Sequence, residues 1–496
     1  MTDAAPTTPK TNPASLEPAA YTWLQRSGDW LRSVGIPTEL GQRNDEAGDG
    51  RDTNERLKAT LRRGDEVLSP RELRRLLADL QSAAASEVSD VEGARIAEQV
   101  MDWYAAATPP ERKDLWRLLC EQFVPDVGKI KQARQRYEDA IGTAGLGAAE
   151  RYLRKALLTP RMRLLQRFAV PANGMRFLVD MRAELLPQLK GHEWLTTLDA
   201  DLEYLFSNWF DVAFLELRSL NWDSPASLLE KLIKYEAVHD IRSWADLKNR
   251  LDSDRRCYGF FHPRLPNEPL IFVEVALVDK MSESIVPLLD ESAEAVNVSK
   301  ASTAIFYSIS NTQNGLRGVS FGDSLIKNVV EQLLQEFPKL RHFATLSPIP
   351  GFRGWLAKNA DAVWADVDKR LRADAVKALG VPDANSSHWL LACDKPLELP
   401  VDSPIAKLLL HAAAVYLGKT TVQDRPVDPV ARFHLGNGAR VERLNWAGDP
   451  SVKGIKQSYG LMVNYLYDLK RLDKHRSLLA QGKLPISPGI ELQAKS

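Results

Sequence analysis

The hydrophobic period of the chain changes once, near residue 190, and no other feature limits the fold as much. Before that point apolar residues recur at spacings of three and four in ELRRLLADLQSAAA, GARIAEQVMDWYAAA, RKDLWRLLCEQF and RYLRKALL, with Pro or Gly at the joins. That spacing predicts a succession of amphipathic helices. Beyond it come short β-branched, aromatic-rich runs, PLIFVEVALV (269–278) and TAIFYSIS (303–310), bounded by Pro, Asn and Ser. These predict strands. Helical patterns, SLIKNVVEQLLQEF (324–337) and PIAKLLLHAAAVYL (404–417), lie between the later strand candidates. The expectation is an α+β chain: an all-helical domain over 51–190, then a mixed α/β domain over 191–496 in which the chemistry is to be sought. A length of 496 residues exceeds what one core serves, in keeping with two domains. The first 50 residues, opening MTDAAPTTPKTNPASLEPAA, are expected to form a flexible tail, because that opening lacks the large apolar groups that would offset ordering entropy.

Composition excludes several function classes. Lys plus Arg and Asp plus Glu are 65 each, so no whole-protein field draws nucleic acid or an anionic membrane surface. Cys120, Cys257 and Cys393 lie far apart and form no CxxC pair, which implies neither a zinc site nor a disulfide framework and favours a reducing compartment. No apolar run approaches the roughly 18 residues of a membrane-spanning helix, and the N-terminus lacks a secretory apolar core. A cytoplasmic location is expected.

The richest connection is NTQNGLRGVSFGDSLIKNVV, where a strand ends near Ser310 and a helix starts near Asp323. A glycine-containing turn opening a helix points backbone N–H groups outward at the positive end of the helix dipole, a seat for a pyrophosphate. Within it, Arg317-Gly318-Val319-Ser320-Phe321-Gly322 resembles the R/Q-x-x-G-x-G/A loop of GNAT acetyltransferases, with Ser320 where that pattern has glycine. The same letters satisfy G-x-S-x-G, the nucleophile elbow of α/β-hydrolases, although nine residues separate Ser310 from Ser320 where an elbow needs a strand directly before its serine. An ordinary strand-to-helix turn accounts for them as well.

In HFATLSPIPGFRGWL (342–356) an apolar strand runs into Ser347, which precedes Pro348 and is held out of the helical region. Such rigid display suits a catalytic hydroxyl, and it also suits a plain turn. His434 sits where the apolar run PVARFHL meets Gly436-Asn437-Gly438, read as a turn between strand-like pieces. It is either a catalytic group or a hydrogen-bonded structural histidine. SYGLMVNYLYDLKRL (458–472) reads as an amphipathic helix carrying Tyr465 and Tyr467. Other candidates fail: Thr196 replaces the second ligand of an HExxH at His192, Ala413 replaces the leading glycine of a P-loop before Gly418-Lys419-Thr420, and KRLDKHR (470–476) reads as a solvated helix face. GTAGLG (142–147) follows no strand and reads as an interhelical loop.

Taken together, CYGFFHPRLPNEPLIFVEVAL (257–277), SISNTQNGLRGVSFG, LSPIPGFRGWL and FHLGNGARVERLNWAGDPSVKGIKQSYGLMVNY, in that order, resemble the malonyl-CoA decarboxylase family over most of the chain from about residue 50. The resemblance implies a helical assembly domain and a catalytic domain of the GNAT fold. It implies a catalytic pair at Ser347 and His434, with Tyr467, the second tyrosine of N-Y-x-Y, also in the site. Animal-type members carry an acidic residue at the position of Ser320.

The implied substrate and product are malonyl-CoA and acetyl-CoA, and the implied assembly is a homo-oligomer, dimer or tetramer. Malonyl-CoA holds its own electron sink in the thioester carbonyl, so neither an added cofactor nor a metal is called for. His434, with a pKa near neutrality, would hydrogen-bond the thioester oxygen and donate the proton, while Ser347 would orient the carboxylate. Arg317, Gly318, Val319, Ser320, Phe321, Gly322 and Asp323 would bind the coenzyme A pyrophosphate. An acyl-CoA thioesterase or other serine hydrolase, using Ser320 or Ser347, and a non-catalytic CoA-binding protein stay open as alternatives; an N-acetyltransferase rests on fold analogy alone.

Overall fold

In the N-terminal part of the chain, three helix starts share one local device, a hydroxyl residue followed by proline. Ser69, Thr108 and Thr159 stand at the N-caps of helices Pro70–Ala84, Pro109–Gln122 and Pro160–Phe168. The hydroxyls of Ser69 and Thr159 accept from the orphan N–H groups of Glu72 and Met162, that of Thr108 donates to the Glu111 carboxylate, and proline loses nothing at a position whose N–H is unpaired anyway. With Asp90–Ala106, Val127–Asp139 and Leu146–Leu157 these form a helical unit, in which GTAGLG is an interhelical connection. Leu73, Leu76, Leu77 and Leu80 are buried at the expected helical spacing. The computed structural model describes residues 66–319, 325–382 and 384–495, so the tail over 1–50 lies outside the described residues, as do Ser320, Phe321, Gly322 and Asp323.

The chain divides into two compact units. The smaller holds the described residues up to Gly174 together with Glu184–Leu202; the larger holds Met175–Ala183 and the chain from Glu203 on. The larger unit is built on a mixed sheet. Strands β1 (Glu216–Leu220), β2 (Arg255–His262), β3 (Leu265–Val278) and β4 (Thr303–Asn311) run antiparallel in sequence order. β5 (His342–Thr345) then joins β4 in parallel through the helix Leu325–Glu336, and β6 (Ser347–Pro348) continues the β5 run after Leu346. A separate ribbon, β7 (Thr421–Val422) with β8 (Arg425–Pro426), precedes β9 (Arg440–Asn445) and β10 (Met462–Leu466). β10 pairs antiparallel with β5 and β6 on one edge and with β9 on the other. The architecture is a helical region followed by a mixed α/β domain.

One break in this sheet positions the site. β4 pairs with β5 only from Thr303 to Phe306, after which Ser347 pairs with Val463 of β10. The two parallel strands therefore part at Phe306 and leave a gap in the middle of the sheet.

Two local readings of the sequence are corrected. SYGLMVNYLYDLKRL contains strand β10, not one long helix; the strand is buried on both faces and so lacks the alternation that marks a half-exposed one. The run before His434 is the helix Pro429–Gly436, not a strand. Its start is written in Asp428-Pro429: the Asp428 carboxylate accepts from Val430 N and Ala431 N, both at 2.9 Å, and proline takes the first helical position. Gly436-Asn437-Gly438 is its C-terminal cap. Gly438 N donates to Leu435 O and Ala439 N to His434 O, the paired bonds of a Schellman motif, with Gly438 at φ +86°. The basic stretch 470–476 does open a helix, Leu472–Ala480, but His475 is buried and bonds Gly438 O at 2.9 Å, buttressing that cap.

Candidate active site

The gap between β4 and β6 is a cleft of about 470 Å³. Its walls are mostly apolar, including Ile271, Phe306, Ile309, Val319, Leu325 and Phe433, and Ser347 and His434 lie side by side among them. Ser347 reaches the wall because β6 leaves the parallel partner and proline follows directly. His434 reaches it from the last turn of its capped helix.

The two residues belong to a buried hydrogen-bonded row. His434 Nδ1 lies 2.8 Å from Tyr467 Oη, His434 Nε2 lies 3.3 Å from Ser347 Oγ, and Ser347 Oγ donates to Thr345 Oγ1 at 2.8 Å. Tyr465 packs over the imidazole with ring centroids 4.6 Å apart. Tyr467 is held by its own backbone, N donating to Phe343 O at 2.8 Å, just past the end of β10. The three residues expected from sequence, Ser347, His434 and Tyr467, are thus brought together by a strand, a helix and a strand end.

Burial overrides everything else at the imidazole. A histidine in the last turn of a helix is ordinarily favoured as a cation, but with no charged partner among the described residues burial pushes His434 down to about 3. This corrects the expectation of a pKa near neutrality: His434 is a neutral imidazole with one N–H. Burial also raises the Tyr467 hydroxyl far above its ordinary value, so it stays protonated.

Arg317, Gly318 and Val319 lead to the rim of the cleft. Val319 lines it, while Arg317 and Gly318 are exposed, Gly318 at φ +84°. This stretch is pinned from below by Arg182, whose Nη1 donates to Gly315 O at 2.8 Å and Arg317 O at 2.9 Å. Gly315 is obligatory there, because a Cβ would stand 1.9 Å from Val179 O. Ser320, Phe321, Gly322 and Asp323 lie outside the described residues.

Sequence reasoning missed Thr345 and Asn437. Thr345 stands two residues before Ser347 on one extended run and so shares its face, a signal the pattern contained. Asn437 lines the cleft, donates to Phe433 O at 2.8 Å and keeps a buried Oδ1 without a partner among the described residues. Nothing in its Gly-Asn-Gly setting distinguishes it from a turn residue.

No described helix is long and apolar enough to cross a membrane. Residues 123–210 match the model of the malonyl-CoA decarboxylase N-terminal domain, and residues 213–496 match that of the C-terminal domain. The chain is 35% identical over 401 residues to malonyl-CoA decarboxylase, mitochondrial, from Anser anser anser, covering 76% of this chain and 78% of the relative. Its Rattus norvegicus counterpart is 36% identical over 389 residues, covering 73% and 77%. Among solved structures, malonyl-CoA decarboxylase from Cupriavidus metallidurans is 43% identical with a TM-score of 0.71, covering 85% of this chain and 100% of that one. The protein of that name from Agrobacterium vitis is 39% identical with a TM-score of 0.74 and the same coverage. Two domain models that match the later helices of the helical region and the whole of the sheet, together with relatives at this identity over about three quarters of the chain, show that it belongs to the malonyl-CoA decarboxylase family.

Proposed function

We propose that the protein converts malonyl-CoA to acetyl-CoA and CO2 at the Ser347–His434 pair. The observation that carries this reading is the buried row Tyr467–His434–Ser347 opening onto an apolar cleft, in a chain of this family. When the C–CO2 bond of a malonyl thioester breaks, its electrons pass to the thioester carbonyl and form an enolate; the C2 carbon then takes up one proton, drawn from water in the net reaction. An apolar cleft favours loss of the carboxylate charge, since the anion is less stabilised there than in water. The developing enolate oxygen needs an N–H or O–H donor that is already oriented. A neutral imidazole N–H serves, as a neutral histidine can polarise a carbonyl without being a cation.

In this reading Ser347 fixes the imidazole that meets the substrate, and Tyr467 holds that imidazole without reacting. The pyrophosphate of coenzyme A is assigned to Arg317 through Asp323, supported by the glycine-containing strand-to-helix pattern and by Arg317 lying exposed at the rim. Assembly into homo-oligomers is assigned to the helical domain on the family resemblance. The test is incubation with malonyl-CoA and no added cofactor, following acetyl-CoA by chromatography, with Ser347→Ala and His434→Ala alongside. Acetyl-CoA from wild type and a loss of roughly 100-fold or more in both variants is expected. Turnover within a few-fold of wild type in His434→Ala would remove the histidine from the mechanism, and free coenzyme A with malonate would favour the thioesterase alternative.

A further inference from the structure

Ser347 has one hydroxyl proton, and where it points decides what kind of catalyst the pair can be. At its 2.8 Å contact with Thr345 Oγ1 the serine is the donor. Toward His434 Nε2, 3.3 Å away, Ser347 therefore offers a lone pair, and the hydrogen between them belongs to nitrogen. A neutral imidazole protonated on Nε2 has its lone pair on Nδ1, where Tyr467 Oη at 2.8 Å supplies the donor. The row then has one direction throughout: Tyr467 O–H to Nδ1, Nε2–H to Ser347, Ser347 O–H to Thr345. Its terminus is fixed, because Thr345 is wholly buried and its Oγ1 also accepts from Tyr465 N of β10 at 3.2 Å.

We propose that Thr345 is a positioning residue that sets this direction, holding His434 as the Nε2–H tautomer and keeping Ser347 from attacking the thioester. A nucleophilic serine needs the reverse order. Its O–H proton would pass to Nε2 as Oγ bonds to the carbonyl carbon, and from Nε2 to sulfur as the C–S bond breaks and coenzyme A leaves as the thiol; water would then cleave the serine ester to the free acid. With Ser347 donating to Thr345, Nε2 has no lone pair to accept that proton. What it has is an N–H, the group an enolate oxygen requires. Thr345 thereby separates decarboxylation from hydrolysis on one substrate.

The catalytic half of this inference rests on the function proposed above; the tautomer does not, and the experiment reads the two apart. Full-length protein labelled with 15N-histidine is examined by NMR without substrate, the His434 signals being assigned by their loss in His434→Gln. Wild type is expected to show a protonated Nε2 and an unprotonated Nδ1. Thr345→Val keeps the shape and removes the acceptor, so Ser347 turns its proton to Nε2 and the tautomer inverts. In that variant kcat for acetyl-CoA is expected to fall roughly 100-fold with little change in KM, while free coenzyme A and malonate rise as a share of product. Thr345→Ser restores the acceptor and is expected to restore the wild-type tautomer and product ratio. A wild-type His434 protonated on Nδ1 overturns the proposal even if Thr345→Val fails to fold, and so does a Thr345→Val protein with unchanged tautomer and product ratio. Absence of acetyl-CoA from wild type, with the Nε2–H signature present, overturns the functional reading and leaves the tautomer assignment standing.

Discussion

Lowering the pH in the absence of substrate should destabilise the protein through His434, and the amount follows from its burial. The folded protein holds this imidazole neutral down to about 3, whereas the unfolded chain protonates it near 6.5. Between those values the unfolded state binds a proton that the folded state refuses, so stability falls as pH falls. The contribution is fully present above 6.5 and is lost progressively toward 3. At about pH 5 the loss is about 2 kcal/mol, and over the whole window it approaches about 5 kcal/mol. The assay is urea unfolding of wild type and His434→Gln at matched pH values from about 7.5 to about 5. Gln keeps a buried polar group and cannot titrate. Contributions shared by the two proteins, among them His239, which burial pushes down to about 4, cancel in the comparison. The gap between the two unfolding free energies should shift by about 2 kcal/mol in favour of the variant on acidification. Parallel pH profiles would refute the reasoning, because they would mean that the folded state accepts the proton as readily as the unfolded one.

Asp428→Ala removes the acceptor for two helix N–H groups and for the Tyr416 hydroxyl, so a loss of about 2 kcal/mol in thermal unfolding is expected, with lower kcat because this helix carries His434. Tyr467→Phe leaves Nδ1 as a buried acceptor without a donor; a cost of about 1–3 kcal/mol and a clear fall in kcat are expected, and an unchanged kcat would show that Tyr467 only packs. Gly315→Ala forces a Cβ against Val179 O and should displace the 315–319 turn. A raised KM for the coenzyme A thioester in a protein that still folds would be the sign of it, measured by steady-state kinetics.

Much of the fold is legible from local pattern because the relevant signals are local. The β3, β4 and β5 runs, the helices Leu325–Glu336 and Pro404–Gly418, and Ser347 at a strand end all sit where composition and proline place them. The failures share a cause. β10 is covered on both faces, so its sequence, apolar but for the buried and hydrogen-bonded Asn464, shows no in-and-out alternation and imitates a helix period. The helix before His434 is only eight residues long, too short for periodicity to declare itself, and its real signature was the Asp428-Pro429 cap. Gly436-Asn437-Gly438 marks a chain reversal in both readings, but a helix cap places His434 on a rigid turn where a hairpin would have placed it on a strand. The neutral imidazole was not legible at all, since desolvation depends on which segments cover the ring.

The residues that pin the 315–317 turn have a consequence for dividing the chain. Arg182 and Val179 belong to the same compact unit as the cleft, yet they lie in the Met175–Ala183 stretch, upstream of a segment that belongs to the smaller unit. The domain boundary visible to family comparison falls at residue 213, after both of them. A shortened protein starting there would keep the whole Tyr467–His434–Ser347 row while losing the guanidinium that ties down Gly315 and Arg317. Such a fragment should retain its chemistry in outline and grip its thioester poorly, so the physical domain is discontinuous where the sequence-defined one is a single stretch.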